Sequence, residues 1–224
     1  MHQIYIKYNN LKSTNTMITS IVSQEIQDSL TPDGVLQDLM QGNVRFMEGI
    51  MHERSYSAQI EQSVDGQWPK AVVLGCIDSR VPVEHIFDQG IGDLFVARVA
   101  GNFENKDILG SLEYSCKVAG SKLVMVLGHE SCGAVKAACD GVEMGNITQM
   151  LENIKPAVEI THTNGERTSE NVEFVAGVVD NNLKNTLKNI RKHSPILKEM
   201  EDNGEIKIIG GVYHISRGEV TLLS

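Results

Sequence analysis

The sequence predicts an α/β fold, a mostly parallel central sheet with flanking helices. Short, continuous apolar runs such as Ala71-Val72-Val73-Leu74 and Leu94-Phe95-Val96-Ala97 alternate with segments of helical periodicity. Strands apolar on both faces belong to parallel sheets covered on both sides. In addition, residues able to ligate metal fall directly after two of the apolar runs, and such sheets gather their sites at the carboxyl ends of strands.

Residues 1–30 are expected to be an N-terminal arm and helix, and residues 31–224 a single α/β domain that carries those metal-ligating residues. Within the arm, residues 18–30 suit a helix with Ile21, Val22, Ile26 and Leu30 on one side, a face that needs a partner. Thr31-Pro32-Asp33 starts the next helix, with Thr31 as N-cap and Pro32 in the first turn. Val35, Leu36, Leu39, Met40, Val44 and Phe46 follow at helical spacing. Residues 62–70 read as a polar connection to the first strand, 71–74. A second strand spans 94–99, a helix 107–118, a third strand 122–127, and a helix begins at 134 behind Cys132-Gly133. Residues 146–163 suit a polar helix bent near Pro156. Residues 171–193 suit a long helix with Phe174, Val175, Val178, Val179, Leu183, Leu187 and Ile190 inward. Residues 205–209, 212–216 and 219–223 read as a strand and a hairpin turning at Arg217-Gly218.

Composition excludes several classes. The 224 residues, 41% hydrophobic, suffice for one substantial core. The net charge is −9 and the basic residues are scattered, which argues against nucleic acid as a partner. No apolar stretch reaches the ~18–20 residues that cross a bilayer, so no membrane partner is expected. Residues 1–20 lack the apolar core of a signal peptide, and Met17 offers an alternative start. There are only four cysteines, which suits a reducing cytoplasm. Cys116 and Cys139 fall in predicted helices and read as buried free thiols.

Cys76-Ile77-Asp78-Ser79-Arg80 and His129-Glu130-Ser131-Cys132 carry the chemistry. Cys76, His129 and Cys132 are suited to zinc as two thiolates and a neutral imidazole. Three protein ligands leave a tetrahedral ion one position short, as in catalytic zinc sites. Cys116 and Cys139 could complete a structural site by composition, but neither sits in a paired ligand motif.

Cys-x-Asp-x-Arg followed by His-x-x-Cys-Gly resembles the β-class carbonic anhydrases. The resemblance runs from about Leu36 to the C-terminal strands. Gln67-Trp68-Pro69-Lys70, residues 92–102 (GDLFVARVAGN), Glu113-Tyr114 and Gly128 to Val135 continue it in register. It implies that Cys76, His129 and Cys132 hold Zn²⁺ and that Asp78 and Arg80 form a catalytic dyad beside it. It implies that Gln67, Phe95, Ala100, Tyr114 and the Gly133 amide line or support the substrate pocket. It also implies that this pocket is completed across a subunit interface, in a homodimer or homotetramer. The expected activity is reversible hydration of carbon dioxide to bicarbonate and a proton, through hydroxide on zinc. Family members gated by bicarbonate resemble one another in a Trp three residues before the first zinc Cys. Here that position is Val73, so an open site is expected.

Plainer readings stand beside these. Asp78 and Arg80 could be a structural ion pair. Phe95, Ala100 and Tyr114 could simply pack, and Gly133 could serve backbone shape. Glu130 reads as a solvated charge, and His85, His162, His193 and His214 have no ligand partners in their motifs. Competing functions are a CS₂ or COS hydrolase of the same fold, and a non-catalytic zinc-binding or thiol-regulatory protein.

Overall fold

The computed structural model describes residues 17–223; residues 1–16 of the expected arm lie outside the described residues. Five strands form one sheet in the order β2-β1-β3-β4-β5. They are β1 (Ala71–Gly75), β2 (Leu94–Arg98), β3 (Leu123–His129), β4 (Lys207–His214) and β5 (Glu219–Leu222). All neighbours pair in parallel except β4 and β5, which form the antiparallel C-terminal hairpin.

Every residue of β1 and β3 is buried. On one face Ala71, Val73 and Met125 pack with Val35 and Leu39 of α2 (Pro32–Glu48) and with Phe87. On the other face Val72, Leu74, Val124 and Val126 meet Leu183, Leu187 and Ile190 of α9 (Val172–His193). This two-sided burial is what the unbroken apolar runs demand. All seven inward residues named for the long helix are buried. Thr31 caps α2 through its hydroxyl, and Asn171 caps α9 through its side-chain oxygen. Helix α2 presses close to the rest of the domain at Gly42, where an added Cβ would lie 1.8 Å from the Phe87 carbonyl oxygen.

Several boundaries differ from expectation. The helix expected over 18–30 is only α1 (Gln24–Ser29), started by the Ser23 hydroxyl. Residue 18 is extended instead, and Ile18 bridges in parallel to Arg54 through backbone bonds to Glu53 and Ser55. Ile26 stays half exposed, while Gln27 is buried and donates to the Pro69 and Ala119 carbonyls. The polar connection begins inside a short helix, α3 (Tyr56–Gln62), and a single turn, α4 (Val83–Ile86), follows β1. The helix after β2, α5 (Lys106–Glu113), passes into a π-helical turn at Tyr114–Val118.

Behind β3 runs α6 (Gly133–Cys139). The bent polar helix is two helices, α7 (Gly145–Leu151) and α8 (Lys155–Ile160), with Pro156 in the first turn of the second. A further helix, α10 (Pro195–Asp202), starts at Ser194-Pro195. The separate segments 205–209 and 212–216 are one strand, β4, running through Gly210 and Gly211. Pairing on both sides holds that glycine pair extended. Cys116 is buried as expected, whereas Cys139 ends α6 partly exposed. No helix of the described residues is long and apolar enough to cross a membrane.

Candidate metal centre

β1 and β3 are adjacent and parallel, with Gly75 level with Leu127. The chain leaves β1 for β2 on one side and returns through β3 on the other. Between them lies the reversal of strand order at which open parallel sheets open a crevice. Cys76 follows the last residue of β1, and His129 is the last residue of β3. Cys132 sits at the N-cap of α6, three residues further on. Cys76, His129 and Cys132 are all buried, and their ligand atoms lie within 4.8 Å of one another.

This donor set fits a tetrahedral metal ion. Two thiolates bound at ~2.3 Å to such an ion lie about 3.8 Å apart, and the Cys76 and Cys132 sulfurs are 3.9 Å apart. His129 Nδ1 is 2.9 Å from the Glu130 carbonyl oxygen. A carbonyl only accepts, so Nδ1 carries the proton and Nε2 presents a lone pair. That Nε2 is fully buried and has no hydrogen-bond partner among the described residues. A buried, unpaired lone pair facing two sulfurs is costly unless a cation takes it. Hydrogen bonds from Cys132 and from the backbone N–H groups of Gly101 and Asp78 hold the Cys76 thiol down at about 4, against the opposing effect of burial. Its charge, together with burial, pushes Cys132 up.

Asp78 stands at the mouth of the site. Its carboxylate accepts from Arg80 three times, from the backbone N–H at 2.9 Å, Nε at 2.9 Å and Nη2 at 2.7 Å. This fork holds the carboxyl well below the usual carboxylate range. Oδ2 lies 3.9 Å from His129 Nε2, so an ionised acceptor borders the space the three ligands enclose. Two non-glycine residues in left-handed conformation flank the ligands, Asn102 (φ 43°) and Ser131 (φ 53°). Such strained positions concentrate at functional sites.

The other predicted site residues divide. Ala100 precedes Gly101, whose N–H points at Cys76 Sγ, and Gly133 follows Cys132. Gln67 precedes β1 at its opposite end, about 17 Å of strand away from Cys76 at ~3.3 Å per residue. Phe95 is level with Val72, four residues before Cys76. The Phe95 and Tyr114 rings pack against each other at 6.1 Å between centroids. They line a cavity of about 580 Å³ over strand β2 that none of the metal ligands reaches. A single chain therefore gathers the ligands, Asp78, Arg80, Ala100 and Gly133, and leaves Gln67, Phe95 and Tyr114 elsewhere.

A carbonic anhydrase family model matches residues 71–220. The chain belongs to the β-class carbonic anhydrases. It is 34% identical to carbonic anhydrase 2 of Mycobacterium tuberculosis (strain H37Rv), over 85% of this chain and 92% of the relative. It is 35% identical to the carbonic anhydrase of Mycolicibacterium smegmatis, over 86% and 94%. Among solved structures it is similar to the β-carbonic anhydrase CcaA, with a TM-score of 0.65 and 27% identity over 84% of this chain and 95% of that one. β-Carbonic anhydrases are zinc enzymes, and the buried Cys₂His set suits that ion.

In this carbonic anhydrase, further residues shape the site without a motif to announce them. Arg98, at the end of β2, donates to the Cys76 and Asp78 carbonyls at 2.8 and 2.7 Å, tying down the loop that carries both. Glu130 is no free surface charge. Its carboxylate meets His214 Nδ1 at 2.7 Å and accepts from the Ser216 hydroxyl at 3.0 Å, so the hairpin holds the loop between His129 and Cys132. Arg98 falls within a run legible as strand. The Glu130–His214 contact spans 84 residues and leaves no local signal.

Proposed function

We propose that this chain catalyses the reversible hydration of carbon dioxide to bicarbonate and a proton, using Zn²⁺ held by Cys76, His129 and Cys132. The observation that carries the reading is the convergence of two buried sulfurs and one orphaned imidazole nitrogen, with an ionised carboxylate at their edge. Zinc bound there supplies Lewis acidity that makes water a nucleophile near neutral pH.

The chain's own residues do the rest. Arg80 holds the Asp78 carboxylate away from the ligands by a two-pronged pair that a lysine could not reproduce. Asp78 Oδ2, an acceptor only, takes a hydrogen bond from water in the site and turns an oxygen lone pair toward the carbon of CO₂. The His129 Nδ1–H bond to Glu130 fixes the ring so that Nε2 alone faces the site. Arg98 keeps the Cys76 and Asp78 backbone in register. Purified protein should contain about one zinc per chain, as an open three-ligand site requires. Stopped-flow CO₂ hydration should disappear on chelation and return with zinc alone. Metal-replete protein that turns over CS₂ or COS but not CO₂ would refute the hydration reading.

We also propose that two chains complete each pocket, in a homodimer or a dimer of dimers. β2 is an edge strand, its residues Leu94–Ala97 are only half buried, and Tyr114 beside it is 53% exposed. Gln67, Phe95 and Tyr114 are then available to a pocket that their own chain does not place them in. Light scattering on the eluting protein should give two or four chain masses; a monomer with full turnover would discard this assembly.

A further inference from the structure

We infer that Asn182 is a positioning residue for Cys76, acting through the turn at Gly101; the inference rests on the reading of Cys76 as a zinc ligand. Residues 99–102 form a tight turn closed by the Asn102 N–H to the Val99 carbonyl at 3.0 Å. Gly101 occupies its third position at φ 84°, a conformation that favours glycine. The two peptide groups of Gly101 face opposite tasks. Its N–H points at the Cys76 sulfur at 3.4 Å, and its carbonyl accepts from Asn182 Nδ2 at 2.8 Å. That second bond is buried, joins residues 81 apart, and comes from a side chain only 2% exposed. The turn is also wedged from the side: a Cβ at Gly101 would lie 2.4 Å from Ile154 Cδ1.

Asn182 sits in the middle of α9, and the same helix bears on the other ligand strand. Leu183 and Val179 would stand 3.0 and 3.4 Å from a Cβ at Gly128, the residue before His129. One rigid helix thus references both the sulfur-directed amide and the histidine strand. An N–H aimed at a thiolate takes up part of the negative charge that two sulfurs place on the metal, and hydrogen bonds around a site tune its affinity. With Asn182 gone, the Gly101 carbonyl loses its hydrogen bond to α9, and the aim of the Gly101 N–H at Cys76 is left to the Asn102–Val99 bond and the Ile154 contact, a looser hold on the turn.

Asn182→Asp keeps the shape and sets a carboxylate against the Gly101 carbonyl. Asn182→Leu removes the donor at similar volume and serves if the aspartate variant does not fold. Zinc affinity, measured by competition with a chromophoric chelator, is expected to fall about 10- to 100-fold. In cobalt-substituted protein the sulfur-to-metal charge-transfer band is expected to shift. A residue that only supports the fold would lower melting of the metal-free and metal-loaded forms alike, with affinity and spectrum at wild-type values; that result overturns the inference. Wild-type protein that binds neither zinc nor cobalt would instead defeat the metal reading of Cys76.

Discussion

Asp78→Asn should slow CO₂ hydration by about 10²–10⁴-fold while leaving zinc content unchanged. The amide has the size of the carboxylate but neither its charge nor its full capacity as an acceptor. Arg80 would lose the forked partner that now takes both of its Nε and Nη2 donors. An amide NH₂ could then turn toward the space beside His129 Nε2, presenting a donor where the reaction needs an acceptor. On the free-energy scale the loss amounts to about 3–5 kcal/mol of barrier. Because Arg80 holds Asp78 well below the usual carboxylate range, the wild-type group is ionised throughout neutral and mildly acid pH. The deficit of the mutant should therefore not narrow as the assay is made moderately acid. Arg80 is half exposed, so the variant should melt close to wild type. Stopped-flow rates on zinc-matched samples decide it: wild-type turnover would reduce the pair to a structural contact.

The largest stability effect is expected far from the metal, at Asp88. Its side chain is completely buried, and its carboxylate pairs with Arg45 at 2.5 Å and with Arg54. Arg54 also donates to the Asp88 carbonyl, and the His52 N–H reaches the carboxylate. One anion therefore gathers α2, the segment before α3 and the turn after α4. Asp88→Ala leaves Arg45 and the almost wholly buried Arg54 without the carboxylate they share. Breaking one partner out of such a cluster costs about 3–5 kcal/mol, which for a chain of this size lowers Tm by roughly 6–20 °C.

Burial alone would raise the Asp88 carboxyl, but the two arginines and the His52 N–H outweigh it and hold the group low. Its contribution is thus complete above the ordinary aspartate value of about 4 and fades as pH falls through the lower folded value. Wild type and Asp88→Ala should accordingly converge in stability toward strongly acid pH. Thermal melts at neutral and acid pH test both statements, and equal Tm at pH 7 would contradict them.

Much of this molecule could be read from the chain because the relevant physics is local. Unbroken apolar runs suit strands covered on both faces, and β1 and β3 are buried at every residue, whereas β2 at the sheet edge is only half buried. Capping groups announce helix starts, as Thr31 and Asn171 do through single hydrogen bonds three residues long. Ligand chemistry follows residue type, so two cysteines and a histidine at or just past strand ends already point to a metal centre in the chain.

Where local signals compete, pattern misleads. Residues 18–22 belong to a stretch of helical spacing but lie outside the helix, because Ile18 pairs with the backbone around Arg54. Gly210-Gly211 looks like a break, yet neighbours on both sides keep β4 continuous.

What the order of residues determined alone is the strands β1 to β3, the main helix starts and the candidate metal-ligating residues, since each depends on neighbours within a few positions. What only the tertiary structure decided is how those atoms are held. Arg98 on the Cys76 loop, Glu130 against His214, Asn182 on Gly101 and Asp88 between two arginines join positions 20 to 84 residues apart. Such contacts exist only after the sheet has brought its strands side by side, because their partners share no periodicity and no common segment.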